Sequence, residues 1–527
     1  MSTLLAIFAL GVAHAQDVAA PPESRRAAAQ QELDAAAAGT GSVAPDSASP
    51  KTGIDAFVLY QARGSASNMA STNPLLDGQV VGRLGGLNGV VVNPTQTAAG
   101  TEQRANLFAT YRPHVLGGRG GITGAFEIDF AYGDSAYGTG GNVGGGFGAD
   151  QVNLQTRRLH ADWWPELGSR HDMHVVLGLQ FVGDSVNDPT DTTPDGLLRS
   201  GGRTQFFGSE AAGLTVYGRI HDAWGDRLRY RLGTYTLVEQ SLTLPDDVWL
   251  TMADVQAHPA YATTIGAHAW YLQDRSGGTG GSFGTGPTSD LWALQGGPDL
   301  DLYDGLPPPE GAPIDADLVW LSLDGGYDAG LTHGPFGVHG VALLNAGRTY
   351  APIVHDDDVL GLFANVEGRV RWAPGSGSVA RLEAVYSSGD TPNPMQYSGV
   401  VTGNAYGVAG ALMPTHGTLL LFPDARAINR MVGVVSDVSG AGRGLLGGSG
   451  SVAYDPIPDR LTTQVGGAVA WTADGQPWGT EINAGVTAEV MLLCNIGLYG
   501  ATVTSGSASE LSGNPWTVYA QVDWLLF

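Results

Sequence analysis

Charge is scarce in this chain. Asp, Glu, Lys and Arg make up 15% of its 527 residues, against about 25% in ordinary soluble proteins. Lysine is nearly absent: Lys51 stands alone among 26 basic residues. Positive charge is therefore presented as the planar guanidinium fork, which matches carboxylate and phosphate groups. The formal net charge of −25 argues against nucleic-acid binding, which needs basic surface. Cys494 is the only cysteine, so an intramolecular disulfide and any cysteine-rich metal site are excluded. After the N-terminus no apolar run approaches the roughly 20 residues of a membrane-spanning helix. A helical membrane protein is excluded with it.

Glycine is abundant instead, with 79 residues, roughly double its usual share of about 7%. Much glycine with few charges fits a β-rich protein with long loops. Residues 1–15 read as a secretory signal peptide, with an apolar core from Leu4 to Val12 and Ala13-His14-Ala15 as a small-x-small cleavage pattern. Residues 16–50 are rich in Ala, Pro and Ser and read as a low-complexity periplasmic tail, a place where a periplasmic partner could attach. The remainder, 51–527, reads as one domain.

From Gly53 onward the chain shows period-two segments of about 8–12 residues, the length and pattern of tilted membrane strands. In 480–490 Ile482, Ala484, Val486, Ala488 and Val490 share one face, opposite Glu481, Asn483, Thr487 and Glu489. In 362–372 Leu362, Ala364, Val366, Val370 and Trp372 oppose Asn365, Glu367, Arg369 and Arg371. The segment 151–164 changes phase near Thr156-Arg157, as a β-bulge would make it do. The last segment carries an apolar stripe of Trp516, Val518, Ala520, Val522, Trp524 and Leu526. A strand of that kind is an aggregation hazard at a sheet edge, but closes a barrel by pairing with the first. Seventeen segments of this type can be marked, whereas bacterial outer-membrane barrels have an even count with long outer loops and short periplasmic turns. Long and short connections alternate except around 238–315. One further strand there, at 248–255 or 290–296, restores the alternation. The expected fold is therefore all-β: a single transmembrane antiparallel β-barrel of eighteen strands in a Gram-negative outer membrane. Trp163, Trp270, Trp372, Trp471, Trp516 and Trp524 fall near segment ends, which suits interfacial girdles meeting the lipid headgroups.

If the apolar faces meet lipid, the opposite faces line a lumen. Arg104, Arg112, Arg158, Arg219, Arg229, Arg231, Arg369, Arg371 and Arg381 then point inward, among acids that include Asp162, Glu367, Glu383 and Glu481. Two readings follow and stay open: an anion-guiding or mixed-charge pathway, or Arg and Glu on neighbouring strands that pair to stiffen the wall. The connection 387–446 far exceeds ordinary loop lengths of about 4–6 residues and holds two apolar stretches, 408–413 and 419–423. Exposed, it would be costly, so it is expected to fold into the lumen as a constriction or lid. Signals of chemistry are weak. His355-Asp356-Asp357-Asp358 reads as a solvated acidic loop rather than a Ca²⁺ site, the glycine run 138–148 lacks the strand–helix setting of a phosphate loop, and no Ser/His/Asp grouping stands out. No enzyme activity, metal or cofactor is expected.

The patches Arg157-Arg158-Leu159-His160-Ala161-Asp162, Leu177-Gly178-Leu179-Gln180, Arg381-Leu382-Glu383-Ala384-Val385-Tyr386-Ser387-Ser388-Gly389-Asp390, Asn429-Arg430, Gly442-Arg443-Gly444 and Gly479-Thr480-Glu481-Ile482-Asn483 resemble the alginate-export family of eighteen-stranded outer-membrane barrels. They are spread over about residues 100–527. The resemblance implies passage of an anionic polysaccharide, or of a small solute, through an arginine-lined pore gated by loops. It makes Arg158, Arg369, Arg371 and Arg381 the candidate pathway residues, with Glu367 and Glu383 as counter-charges. The alternatives are a general diffusion porin and a non-conducting barrel that serves as a scaffold or surface adhesin. In each case the protein's surroundings include outer-membrane lipid.

Overall fold

A computed structural model describes residues 52–71, 90–92, 98–133, 152–165, 171–183, 208–220, 228–238, 247–275, 315–331, 333–350, 357–391, 396–401, 417–422, 433–435, 438–440, 442–491, 493–509 and 513–526. The signal segment, the tail, the apolar stretch 408–413, the alternative strand 290–296 and Phe527 lie outside them.

Eighteen strands form the wall. They are β1 (Gly53–Ser67), β2 (Ala98–Arg112), β3 (Gly120–Gly133), β4 (Val152–Trp163), β5 (His171–Gly183), β6 (Gly208–Ile220), β7 (Leu228–Val238), β8 (Val248–Ala257), β9 (Thr263–Asp274) and β10 (Asp315–Tyr327). The ring continues through β11 (Phe336–Tyr350), β12 (Asp357–Arg371), β13 (Val379–Ser387), β14 (Leu445–Ile457), β15 (Leu461–Trp471), β16 (Pro477–Met491), β17 (Cys494–Ser505) and β18 (Trp516–Leu526). Each pairs antiparallel with its neighbours in sequence, and β18 closes on β1, with Val58 opposite Leu526 and Ser67 opposite Thr517. No edge is left open. The strand required by the alternation of loops is β8. A short ribbon, Met69–Ser71 with Val90–Val92, and the two residues Gln396–Tyr397, which pair in parallel with Asp358 and Val359 of β12, stand apart from the ring.

The alternation along each strand is the physical basis of the fold. Ile54, Leu177, Leu323, Leu382 and Ile482 are among the large apolar side chains on the outside. Arg104, Asn106, Asn365, Glu367 and Asn483 are buried on the inside. Water would not tolerate that arrangement, whereas hydrocarbon solvates the exterior and the closed ladder satisfies every strand amide. The protein is thus an integral outer-membrane β-barrel. The phase change in β4 is a bulge: Ala125 faces Arg158 and Phe126 faces Thr156, so Arg157 is skipped. The connections 113–119, 164–170, 221–227, 258–262, 328–335, 372–378, 458–460 and 492–493 are the short periplasmic turns. The opposite rim carries the longest ones, 275–314 and 388–444.

Two expectations need correction. Trp163, Trp372, Trp471, Trp516 and Trp524 do sit on outward positions near the rims, but Trp270 is 2% exposed and points inward. Its indole N–H donates to the Asp254 carboxylate at 2.9 Å, and a polar partner inside outweighs a place in the girdle. Nor is the inner face polar throughout. Val248, Leu250 and Met252 of β8, Leu272 of β9, Leu318 and Trp320 of β10 and Phe363 of β12 are all buried apolar side chains. They lie on inward positions toward the outer end of the barrel. There the described parts of the connection 388–444 cover them, so apolar surface is buried within the lumen as it is in a soluble core.

Candidate functional site

The lumen has two unlike walls. On β2 to β7 the inward positions carry Arg104, Arg112, Arg158, Arg219, Arg229 and Arg231. Strand register sets their heights. Arg112 of β2, Gly121 of β3 and Asp162 of β4 form one row. A methyl group at Gly121 would lie 3.1 Å from Asp162 Oδ1 and 3.2 Å from Arg112 Cγ, so the bare glycine leaves room for both side chains. The Arg112 guanidinium lies 4.9 Å from the Trp164 ring and 3.8 Å from the Asp55 carboxylate. Trp164, His174 and Tyr217 continue as a column of rings at centroid separations of 5.1 and 4.8 Å. On the neighbouring pair Arg219 of β6 stands directly opposite Arg229 of β7. On its other side Arg219 stands opposite Asp172 of β5, so the like charges, which alone would cost stability, have an acidic position in the same row.

Arg231 behaves differently. Its Nε donates to Asp254 Oδ2 at 2.6 Å, and Asp254 lies directly opposite it on β8. The same carboxylate meets His268 Nδ1 at 2.7 Å and the Trp270 indole. His268 Nε2 is 3.0 Å from Asp324 Oδ1, whose second oxygen is 3.4 Å from His339 Nε2. A side-chain chain thus crosses five strands, β7 to β11. Sequence reasoning missed it, although Asp254 and His268 share the inward parity of their strands. The register that places them opposite each other is a tertiary property.

Toward the periplasmic end, β12 and β13 bring Glu367 opposite Glu383 and Arg369 opposite Arg381. The repulsion is relieved along the strand: Arg369 donates Nε and Nη2 to the two Glu367 oxygens at 2.7 and 2.5 Å, and Nη1 to the Ala329 carbonyl at 3.0 Å. Glu383 accepts from the Asn365 amide at 3.1 Å. Arg371, half-buried, lies at the periplasmic end of β12. Arg369 and Glu367 thus pair along one strand rather than across neighbouring ones.

The other wall, from β10 round to β17, holds the long connection. Trp320 donates its indole N–H to the Val401 carbonyl at 2.9 Å, and the Val401 N–H donates to Asn345 Oδ1 at 3.0 Å. Ser387 Oγ donates to the Val438 carbonyl. Glu481 and Asn483 bind the segment 417–421. These anchors include Glu481, whose inward position the period-two pattern gave, but not its partners.

Among the described residues no cluster of histidine, cysteine and acidic side chains could hold a metal ion. No family model and no curated protein matches the chain. Solved structures similar to it include OccK5 (OpdH) of Pseudomonas aeruginosa, at 10% identity over 90% of this chain and 98% of that one, with a TM-score of 0.42. OccAB4 of Acinetobacter baumannii matches at 10% identity over 89% and 98%, with a TM-score of 0.42. A BenF-like porin from Pseudomonas fluorescens Pf-5 matches at 11% identity over 90% and 98%, with a TM-score of 0.44.

Proposed function

We propose that the barrel is an outer-membrane channel that passes small anionic solutes by electrostatic guidance along the arginine-bearing wall of β2 to β7. The observation that carries this reading is the pair Arg219 and Arg229, which face each other at one height inside the barrel. Rings and rows of basic side chains select anions, and guanidinium groups match carboxylate and phosphate oxygens. Arg104, Arg112 and Arg158 extend the row. Arg371 and Arg381 stand near the periplasmic mouth on the far side. The resemblance to the alginate-export family extends the cargo to an anionic polysaccharide. General diffusion is the second reading, favoured by the neutralised pairs Arg231–Asp254 and Arg369–Glu367.

The test is the reversal potential of the purified barrel in a planar bilayer under a salt gradient. The wild-type protein is expected to prefer anions, and the double variant Arg219→Gln/Arg229→Gln to lose most of that preference. Selectivity unchanged in the double variant would remove the guidance role. A barrel that carries no current would be the scaffold or adhesin.

A further inference from the structure

Glu481 is 1% exposed on the inner face of β16, and its partners are amides. Oε1 accepts the Leu419 N–H at 2.7 Å, and Oε2 accepts those of Leu420 at 2.9 Å and Leu421 at 2.5 Å. Asn483, two residues along the same face, donates its amide both to Glu481 Oε1 and to the Gly417 carbonyl, each at 2.7 Å. Three successive peptide N–H groups converging on one anion make a backbone nest. A regular strand does not aim consecutive amides that way, since they alternate in direction. The turn 419–421 is shaped around a carboxylate.

The surroundings distinguish the two sides of the contact. Leu419, Leu420, Leu421 and Phe422 are all buried. Leu421 Cδ1 lies 3.6 Å from the position a methyl group would take on Gly479, and Phe422 Cζ 3.2 Å from that on Gly447. The segment 433–435 returns over the turn, with the Val434 and Val435 N–H groups donating to the carbonyls of Leu420 and Leu421 at 2.8 and 2.9 Å. Glu481 belongs to the hydrogen-bonded wall, whereas 417–422 belongs to a connection between β13 and β14 with no place in the ring. If the connection lifts off, three N–H groups and a buried carboxylate lose their partners together.

We propose that the Leu419–Leu421 amides form a carboxylate-binding nest, that Glu481 is its tethered occupant, and that this contact latches the segment 417–422 against the inner wall toward the outer end of the barrel. The nest takes small carboxylates as a class. Any consequence for conduction rests on the channel reading above, but the latch itself does not.

Thr418 is fully buried beside the nest, so a cysteine there reports lifting of the segment. In a Cys494→Ser, Thr418→Cys barrel, modification by a membrane-impermeant maleimide is expected to be slow. Loss of several charge-assisted hydrogen bonds in Glu481→Ala is expected to speed it at least about tenfold. Acetate is expected to slow the Glu481→Ala reaction back toward the parent rate, while chloride at equal ionic strength does not. Heat-modifiable gel mobility checks that each variant is a folded barrel. Should Glu481→Ala not fold, Asn483→Ala, which releases only the Gly417 clamp and one carboxylate contact, is expected to give a smaller acceleration in the same direction. An unchanged labelling rate in a folded variant overturns the latch, and acetate no better than chloride overturns the nest. Fast labelling of a barrel that carries no current would leave the latch standing and sink the channel.

Discussion

At the scale of single residues, some inward side chains spend their charge on the wall. Asp254 is spent: it is 1% exposed and serves Arg231, His268 and Trp270 on the two flanking strands. Removing one partner of a buried ion pair is costly because the other charge remains, by about 3–5 kcal/mol. Asp254→Ala is therefore expected to lower the temperature at which the compact barrel form is lost, with Asp254→Asn less severe, as would be read by heat-modifiable mobility. An unshifted transition would mean that the chain from β7 to β11 contributes nothing. The period-two pattern made the inward direction of Arg104, Arg219, Arg229, Arg369 and Arg381 legible from sequence, but not that of Asp254, which lies on the one strand it did not mark. Their pairing was not legible, because it depends on which residue stands opposite, and strand register is set by turns and neighbours over the whole ring.

Among elements, the strands were readable because a lipid-facing stripe leaves a strong alternation, as in β12 and β16. The one strand the pattern did not mark, β8, explains why. Val248, Leu250, Met252 and Val255 put apolar side chains on both of its faces, so the alternation that betrays a strand is erased where the inner face is also covered. The covering connection left a second mark, in glycine. A methyl group on Gly466 of β15 would lie 2.7 Å from the Gly417 carbonyl oxygen, and one on Gly361 of β12 would lie 2.5 Å from that of Gly399. At these two points the connection touches the wall backbone to backbone. Gly466→Val is expected to displace the segment and to accelerate labelling at Thr418→Cys although Glu481 is intact. Gly368→Ala, where nothing lies within 4 Å, is expected to leave labelling and stability unchanged. Equal labelling in the two variants would deny the close approach a role.

For the whole molecule, the decisive property is the inversion of inside and outside. Leu382, 72% exposed in the middle of β13, faces hydrocarbon. Leu382→Arg is expected to destabilise the barrel in bilayers by about 2–4 kcal/mol, the depth-dependent cost of a lipid-facing charge, measured by denaturant titration in vesicles. The same residue on a soluble β-protein would be improved by that change, so a neutral or stabilising result would contradict the membrane-facing assignment. The seam carries a further consequence. Because β18 pairs with β1 over ten consecutive residues in the same antiparallel manner as every other neighbouring pair, the ring has no privileged first strand. A linker joining Leu526 to Gly53, with the chain cut instead in the turn 458–460, would keep every rung of the ladder. The order in which the ribosome delivers the strands is thus separable from the architecture they make, and a circularly permuted chain that failed to assemble would report on the cell's insertion machinery rather than on the stability of the barrel.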